Sequence, residues 1–248
     1  MNLKEDIKSL AFAVVIVLSF HSFLFKPFNI PSESMVPTLL IGDYLFVSKF
    51  TYGYSKNSFP FSPPIFKGRV FYTPPQMGDV AVFRKEFPND PKRDSEDWVK
   101  RVVGLPGDKI QMKGGQLFIN GKKTELEKVG TYTWKDQKAR EQVSTHYIET
   151  LPNGVKHSIL KSSDFGDGDL DNTEEYTVPE GHFYMMGDNR DHSGDSRVHG
   201  AFSEESLIGQ VKILFFSTGI PTTPGGAWWQ IWKWPTETRY SRFFNIIK

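Results

Sequence analysis

Between Leu10 and Phe25 the sequence reads LAFAVVIVLSFHSFLF, sixteen consecutive positions without a formal charge. With Ile7 included, this apolar segment approaches the roughly 20 residues that a helix needs to cross a bilayer. It predicts one transmembrane helix over about residues 7–26, inside an N-terminal anchor of residues 1–27. A cleaved targeting segment is the alternative reading. The run exceeds the usual apolar core of such a segment, and Phe20, His21, Phe23 and Phe25 offer no small-x-small cut site near its end. Ser19 and His21 read as tolerated packing or interfacial residues. Lys4 and Lys8 before the run, against Lys26 after it, favour a cytoplasmic N-terminus by a margin that Glu5 and Asp6 keep thin. Everything from Phe28 onward then lies on the far side as one soluble body.

Hydrophobic residues make up 38% of the 248 and charged residues 24%, which excludes both wholesale disorder and a polytopic membrane protein. Lys and Arg number 30 against 29 Asp and Glu, so a net charge of +1 supplies no field to recruit nucleic acid. No cysteine is present, which removes disulfides, thiolate catalysis and Cys-ligated metal sites together.

The soluble part reads as mainly β. Gly42-Asp43, Gly78-Asp79 and Gly107-Asp108 each precede an apolar run (YLFV, VAVF, KIQM), the pattern of a turn launching a strand. Further strands are predicted at Trp98 to Val103, at Gln116 to Ile119 before an Asn120-Gly121 hairpin turn, at His182 to Met186 and at Leu207 to Phe216. The Pro- and aromatic-rich stretch from Phe50 to Pro75 predicts an extended loop or hairpin. Residues 121–176 are more polar and form a predicted insert between two halves of a main β core, 28–120 and 177–220, with a Trp-rich basic tail over 221–248.

Three short stretches carry candidate chemistry: PSESMVPTL (Pro31 to Leu39), WVKRVVGLPGD (Trp98 to Asp108) and GDNRDHSGDSR (Gly187 to Arg197). Ser32 and Ser34 could simply cap a turn. In WVKRVV, strand alternation puts Trp98, Lys100 and Val102 on one face and Val99, Arg101 and Val103 on the other. One of the two cations must share a side with apolar residues, although a lysine on a strand can also be a solvated edge charge. A buried lysine loses the hydration of its ammonium form, so its pKa falls and it can serve as a base near neutrality. The third stretch is too polar for a core strand and reads as a turn with Asp195 paired to Arg197.

Taken together and in this order, the three stretches resemble the sequence boxes of bacterial type I signal peptidases, membrane-anchored Ser/Lys proteases. The resemblance covers about Asn29 to Asp108 and Pro179 to Phe216, with the apolar run in the expected place. It implies an antiparallel β-sheet catalytic core with a smaller inserted β subdomain. It implies Ser34 as nucleophile and Lys100 as general base. Ser32 joins the Ser34 backbone N–H in the oxyanion hole, Ser193 orients the lysine, and Asp195 with Arg197 forms a supporting ion pair. Ile30, Met35, Leu39, Trp98 and Val99 match the walls of pockets for small side chains. The implied substrates are preprotein signal peptides with a small-x-small cut site, processed beside the lipid bilayer on the outer face of the bacterial inner membrane. No metal, cofactor or nucleic acid is implied. Glu33 departs from the family, where many relatives carry glycine, and its side chain is expected to face solvent.

Other motifs are weaker. Ser158 and Lys161 satisfy S-x-x-K, but no S-D-N or K-T-G accompanies them. The acidic run from Asp164 to Glu175 fails the register of a calcium loop, with Asn172 where glycine is needed and Val178 where glutamate is needed, and reads as a solvated loop. The tail's tryptophans and cations fit either a bilayer interface or packing on the β core. Rival functions are a narrow-substrate processing peptidase of the conjugative pilus kind, and a non-enzymatic anchored scaffold in which Ser34 and Lys100 lie apart.

Overall fold

A computed structural model describes residues 5–10, 12, 24–59, 68–88, 90, 95–219, 232 and 234–247. The three Gly-Asp pairs build one repeated turn. Each glycine takes a positive φ, 87° at Gly42, 99° at Gly78 and 85° at Gly107, which a side chain would strain. Each aspartate then accepts a hydrogen bond from the backbone three residues earlier: Leu40 N–H to Asp43 at 2.8 Å, Gln76 to Asp79 at 3.0 Å and Leu105 to Asp108 at 2.8 Å. The aspartates thus lock the turns from which the following strands start.

In chain order the strands are β1 (Phe25–Asn29), β2 (Asp43–Ser48), β3 (Val80–Glu86), β4 (Ser95–Gly104), β5 (Lys109–Lys113), β6 (Gln116–Ile119), β7 (Lys122–Lys123), β8 (Glu125–Lys135), β9 (Glu141–Thr150), β10 (Lys156–Lys161), β11 (Tyr176–Thr177), β12 (His182–Met186), β13 (Phe202–Ser203), β14 (Leu207–Ser217) and β15 (Asn245–Ile246). They form three antiparallel sheets. The largest runs β1-β2-β14-β3-β4-β12-β13, with β15 added to β14, while β11-β5-β6-β7 and β10-β9-β8 form the other two. The expected Asn120-Gly121 hairpin joins β6 to β7, both residues at positive φ, 53° and 75°.

The run VAVF of β3 shows no polar alternation because both faces of the large sheet are covered. Val80 and Val82 pack with Leu39, Leu45, Val47 and Leu214, whereas Ala81 and Phe83 pack with Val102, Phe183, Met185 and Leu207. A third cluster, including Ile110, Leu117, Ile119 and Met186, joins the β5-β6 sheet to the end of β12. Val36, Trp134 and Leu160 form a small fourth one that docks the β8-β9-β10 sheet against the segment carrying Ser34.

Several sequence expectations change. Phe25 and Lys26, counted in the membrane segment, belong to β1 and pair with Ser48 and Val47, so an apolar span ends before them. Most of the run from Leu10 to Phe25 lies outside the described residues, among which no helix is long and apolar enough to cross a membrane. Residues 109–120 and 177, grouped with the main core, hydrogen-bond with residues 121–123 and 176, grouped with the insert, in a sheet of their own. Phe50 to Tyr52 is a 3-10 turn, and Tyr54 bridges Val70, so the first part of the Pro-rich stretch is a pinned loop. Nor is the acidic loop wholly solvated: Asp171 is buried and ion-paired with Lys161 at 2.7 Å. In the tail, β15 pairs with β14, and Trp234 and Phe243 pack on Phe216. This part lies against the large sheet.

Candidate active site

Three elements meet at one point. The turn after β1 brings Ser34, the middle of β4 brings Lys100, and the segment after β12 brings Gly187 to Arg197. Lys100 Nζ donates to Ser34 Oγ at 2.7 Å, although 66 residues separate them in sequence. Both side chains are nearly buried, with 7% of Ser34 and 5% of Lys100 exposed.

Burial pushes the Lys100 pKa down to about 8, while the carboxylates of Asp195 and Asp188 oppose the fall and Arg197 adds to it. The indole of Trp98 lies 5.3 Å from Nζ, covering the amine with an apolar surface. Arg101, the other cation of the strand, is also buried, so the alternation argument for one buried cation undercounts. Its guanidinium is held by Asp188 through two hydrogen bonds of 2.9 Å and by the Gly78 carbonyl at 2.7 Å. Charge-assisted forked pairing of this kind makes guanidinium burial tolerable.

Asp188 also accepts from the Thr38 hydroxyl at 2.5 Å. The next residue, Asn189, donates its backbone N–H to the Ser34 carbonyl at 3.0 Å and its side-chain amide to the Glu33 carbonyl at 3.2 Å. Asp188 and Asn189 therefore fasten the serine turn to the lysine strand. Both residues lie inside a stretch singled out on sequence, but nothing local distinguishes them as fasteners.

Ser32 Oγ sits 3.4 Å from Ser34 Oγ. Asp195 pairs with Arg197 at 2.8 Å and accepts from the Gly187 N–H at 3.0 Å. Burial raises the Asp195 pKa, and the Arg197 guanidinium more than reverses this, leaving the carboxyl below its ordinary value. Ser193 is buried beside Gly187, and its Oγ makes no hydrogen bond to Lys100, so the expected bond is not made. Here Nζ points at Ser34, and the Ser193 hydroxyl faces Gly187 instead. A Cβ on Gly187 would lie 2.2 Å from Ser193 Oγ and 2.5 Å from the Ser34 carbonyl oxygen. Only glycine fits there.

A cleft of about 370 Å³ opens beside the pair, and Ile30, Met35, Trp98 and Val99 are among its walls. Leu39 is not. It is fully buried with Leu45, Val82 and Leu214, because the tight turn from Met35 (Leu39 N–H to Met35 O, 2.8 Å) rotates it into the core. Glu33 lines the cleft, and one of its carboxylate oxygens is buried without a partner, so the side chain is not simply turned to solvent. Gln137 and His192 complete the rim; both were missed, since one comes from the insert and the other was read only as turn sequence.

A second set of buried charges supports the site. Glu149 of β9 pairs with Arg190, and His157 of β10 lies 3.3 Å from Glu149 and 3.9 Å from Asp188. Burial holds His157 below the usual imidazole range, hence neutral, and the two carboxylates balance Arg101 and Arg190. The Ser158 and Lys161 pair is not a dyad: Ser158 bonds His146, while Lys161 is ion-paired to both Asp171 and Asp191. Among the described residues no group of three or more histidine or acidic side chains is placed to hold a metal ion.

Known proteins similar to this chain cover most of its length. The family described as "Signal peptidase, peptidase S26" matches residues 3–216. A signal peptidase I of Rickettsia typhi is 38% identical, covering 99% of this chain and 94% of its own. That of Rickettsia canadensis is 41% identical over 98% of this chain and 93% of its own. Among solved structures, a signal peptidase I from Enterococcus faecalis V583 aligns at 23% identity and a TM-score of 0.31, over 56% of this chain and 97% of that one.

Proposed function

The chain belongs to the signal peptidase family, peptidase S26, and from that premise we propose a membrane-anchored endopeptidase that removes signal peptides through Ser34 and Lys100. That it is a peptidase follows from the family. The observation that carries the finer reading is the 2.7 Å contact between the Lys100 amine and the Ser34 hydroxyl in a cleft of about 370 Å³. The same contact counts against an anchored scaffold, for which the two side chains have no reason to meet.

The chemistry follows from the geometry. Neutral Lys100 takes the Ser34 proton as Oγ attacks the scissile carbonyl, then returns it to the leaving amine. An ester links the signal peptide to Ser34 until water, deprotonated by the same amine, releases it. Ser32 Oγ, beside the attacking atom, and the Ser34 N–H are the proposed donors to the developing oxyanion, each contributing a few kcal/mol by general experience. The shallow walls of Ile30, Met35, Trp98 and Val99 suit small side chains before the cut. Asp195 and Arg197 act as the supporting pair and Ser193 as a neighbour of the base. An apolar span ahead of Phe25 would hold this cleft at the outer face of the inner membrane, where preproteins present their cut sites. Anchor, core, insert and tail, divided as the sequence suggests, belong to the same reading.

The test is cleavage of a purified preprotein in detergent with the cut located by mass spectrometry. Wild type is expected to cut after a small-x-small site and both Ser34→Ala and Lys100→Met to be inactive. A Lys100→Met enzyme at full rate would remove the base assignment, and a wild type that cuts no preprotein would favour a narrow-substrate processing peptidase.

A further inference from the structure

A second cavity, of about 410 Å³, adjoins the catalytic cleft and shares Pro31 and Gln137 with it. Its walls come from three parts of the chain: Val36, Leu40 and Ile41 after the serine, Tyr132 to Ala139 at the tip of the β8-β9 hairpin, and Thr236 to Arg239 of the tail. We propose that this cavity binds the polypeptide on the leaving side of the scissile bond, the first residues of the mature protein in extended form. The proposal rests on the signal peptidase reading above and deepens it.

Direction supplies the first argument. The apolar part of a signal peptide precedes its cut site and lies in the membrane. In the proposed topology the chain enters the soluble body at Phe25, and β1 leads from there toward Ser34. The cleft is lined at that approach by Phe28, Asp97 and Trp98, so the substrate segment before the cut occupies it. The segment after the cut must leave past Ser34. There, beyond the shared walls of Pro31 and Gln137, lies the second cavity.

The walls are held in place before any ligand arrives. Arg239 donates to the Ile41 carbonyl from both terminal nitrogens, at 3.0 and 3.1 Å, tying the tail wall to the serine turn. Trp134 is buried against Val36 and Leu160, donates to Ser144 Oγ at 2.9 Å and meets the His192 ring edge-on at 5.0 Å. The hairpin tip is closed by Asp136, whose carboxylate accepts from the backbone N–H groups of Lys138 and Arg140, each at 2.9 Å. A preformed groove binds with less ordering cost than a flexible one.

The lining defines the ligand class. Val36, Leu40 and Trp134 offer apolar contacts, and the rim carries Lys135 and Arg239 against Asp136 and Glu237. A balanced rim with an apolar floor selects no net charge. It suits a polypeptide of varied sequence, which an enzyme with many preprotein substrates must accept, and it gives the inserted hairpin a part in substrate binding.

Two measurements on the full-length enzyme test this. In the first, two peptides with the same signal segment are compared, one ending two residues after the cut and one carrying six more, an added reach of about 20 Å. Wild type is expected to gain about tenfold in kcat/KM on extension, since remote contacts can be used in the transition state. Thr133→Trp, which fills the cavity from an exposed position on β8, is expected to lose most of that gain. In the second, Ser34→Ala is cross-linked to a preprotein bearing benzophenone at the fourth residue after the cut, and the adduct is mapped. Adducts on residues 132–139 or 236–239 support the site. Equal kcat/KM for the two peptides with wild type, or adducts confined to other regions, overturns it. A wild type that cuts neither peptide overturns the signal peptidase reading instead.

Discussion

A lysine held out of water destabilises the protein that uses it. Lys100, at about 8 against an ordinary value of 10.5, binds fewer protons folded than unfolded between those two pH values. Stability therefore rises with pH through that window, and at neutral pH the site forgoes about 3 kcal/mol. Lys100→Met is accordingly expected to abolish cleavage while raising the melting temperature at pH 7, as read by calorimetry; a lower melting temperature would contradict the burial argument. The same pKa fixes the rate profile. Only the neutral amine accepts a proton, so kcat/KM should climb about tenfold per pH unit below 8 and flatten above it. Ser32→Ala leaves the proposed dyad intact and removes one proposed oxyanion donor, for an expected loss of about 10²- to 10³-fold in single-turnover rate. These residues were legible in the sequence because each lies in a short stretch that resembles a box of the signal peptidases, although 66 residues separate the serine from the lysine. Leu39 was misread because its direction depends on the turn back to Met35, and Ser193 because its direction depends on how closely the chain passes Gly187. The burial of both Lys100 and Arg101 needed Asp188, which comes from the segment after β12.

Among the elements, the segment after β12 does the most to align the site. Gly187 passes so close to Ser193 and the Ser34 carbonyl that an added methyl group must push the serine turn aside. Gly187→Ala is expected to cut activity by about 10²-fold through misplacement of Ser34 relative to Lys100, with kcat rather than KM affected. A parallel loss in KM would point to the cleft walls instead. The β9 strand contributes at longer range through Glu149 and Arg190. Glu149→Gln removes the partner of a buried guanidinium and should cost about 3–5 kcal/mol by chemical denaturation. Burial raises the Glu149 and Asp188 pKa values, but neighbouring guanidiniums more than reverse this, so both bind fewer protons folded than unfolded. Stability from these carboxylates is lost as pH falls below about 4.5. No sequence signal announces this pairing. Glu149 and Arg190 are 41 residues apart, and a glutamate or histidine in a polar strand reads as surface until the sheet is docked. The strands of the large sheet were legible because Gly-Asp turns and apolar runs mark them, whereas β8 and β9 carry mostly polar residues over ten or more positions each.

For the whole molecule, the proposed anchor makes the distance between the serine and the bilayer the decisive relation. Ser34 stands nine positions after Phe25, a link that could reach about 30 Å if it were freely extended. In the fold, Phe25–Asn29 is instead a strand of the large sheet, paired through all five residues with β2. No slack is left between the start of β1 and the cleft. If the apolar run before Phe25 spans the bilayer, the cleft is held at one height above it, and cut sites far from the surface are out of reach. The tail reinforces this rigidity, because Arg242 pairs with Asp43 at 2.6 Å and donates to the Thr38 carbonyl at 3.0 Å, between β2 and the serine turn. Inserting a flexible Gly/Ser segment of about 20 residues after Leu24 would let the body drift by roughly 25 Å, at the cost of the bond from Lys49 N–H to the Leu24 carbonyl but with the pairing of β1 and β2 kept. Cleavage of a soluble peptide should then be unaffected, whereas processing of a preprotein inserted in proteoliposomes should fall about tenfold or more, because the enzyme no longer samples one fixed height. Equal processing of the inserted preprotein by both forms would show that height is set elsewhere, with the Trp-rich tail as the next surface to alter.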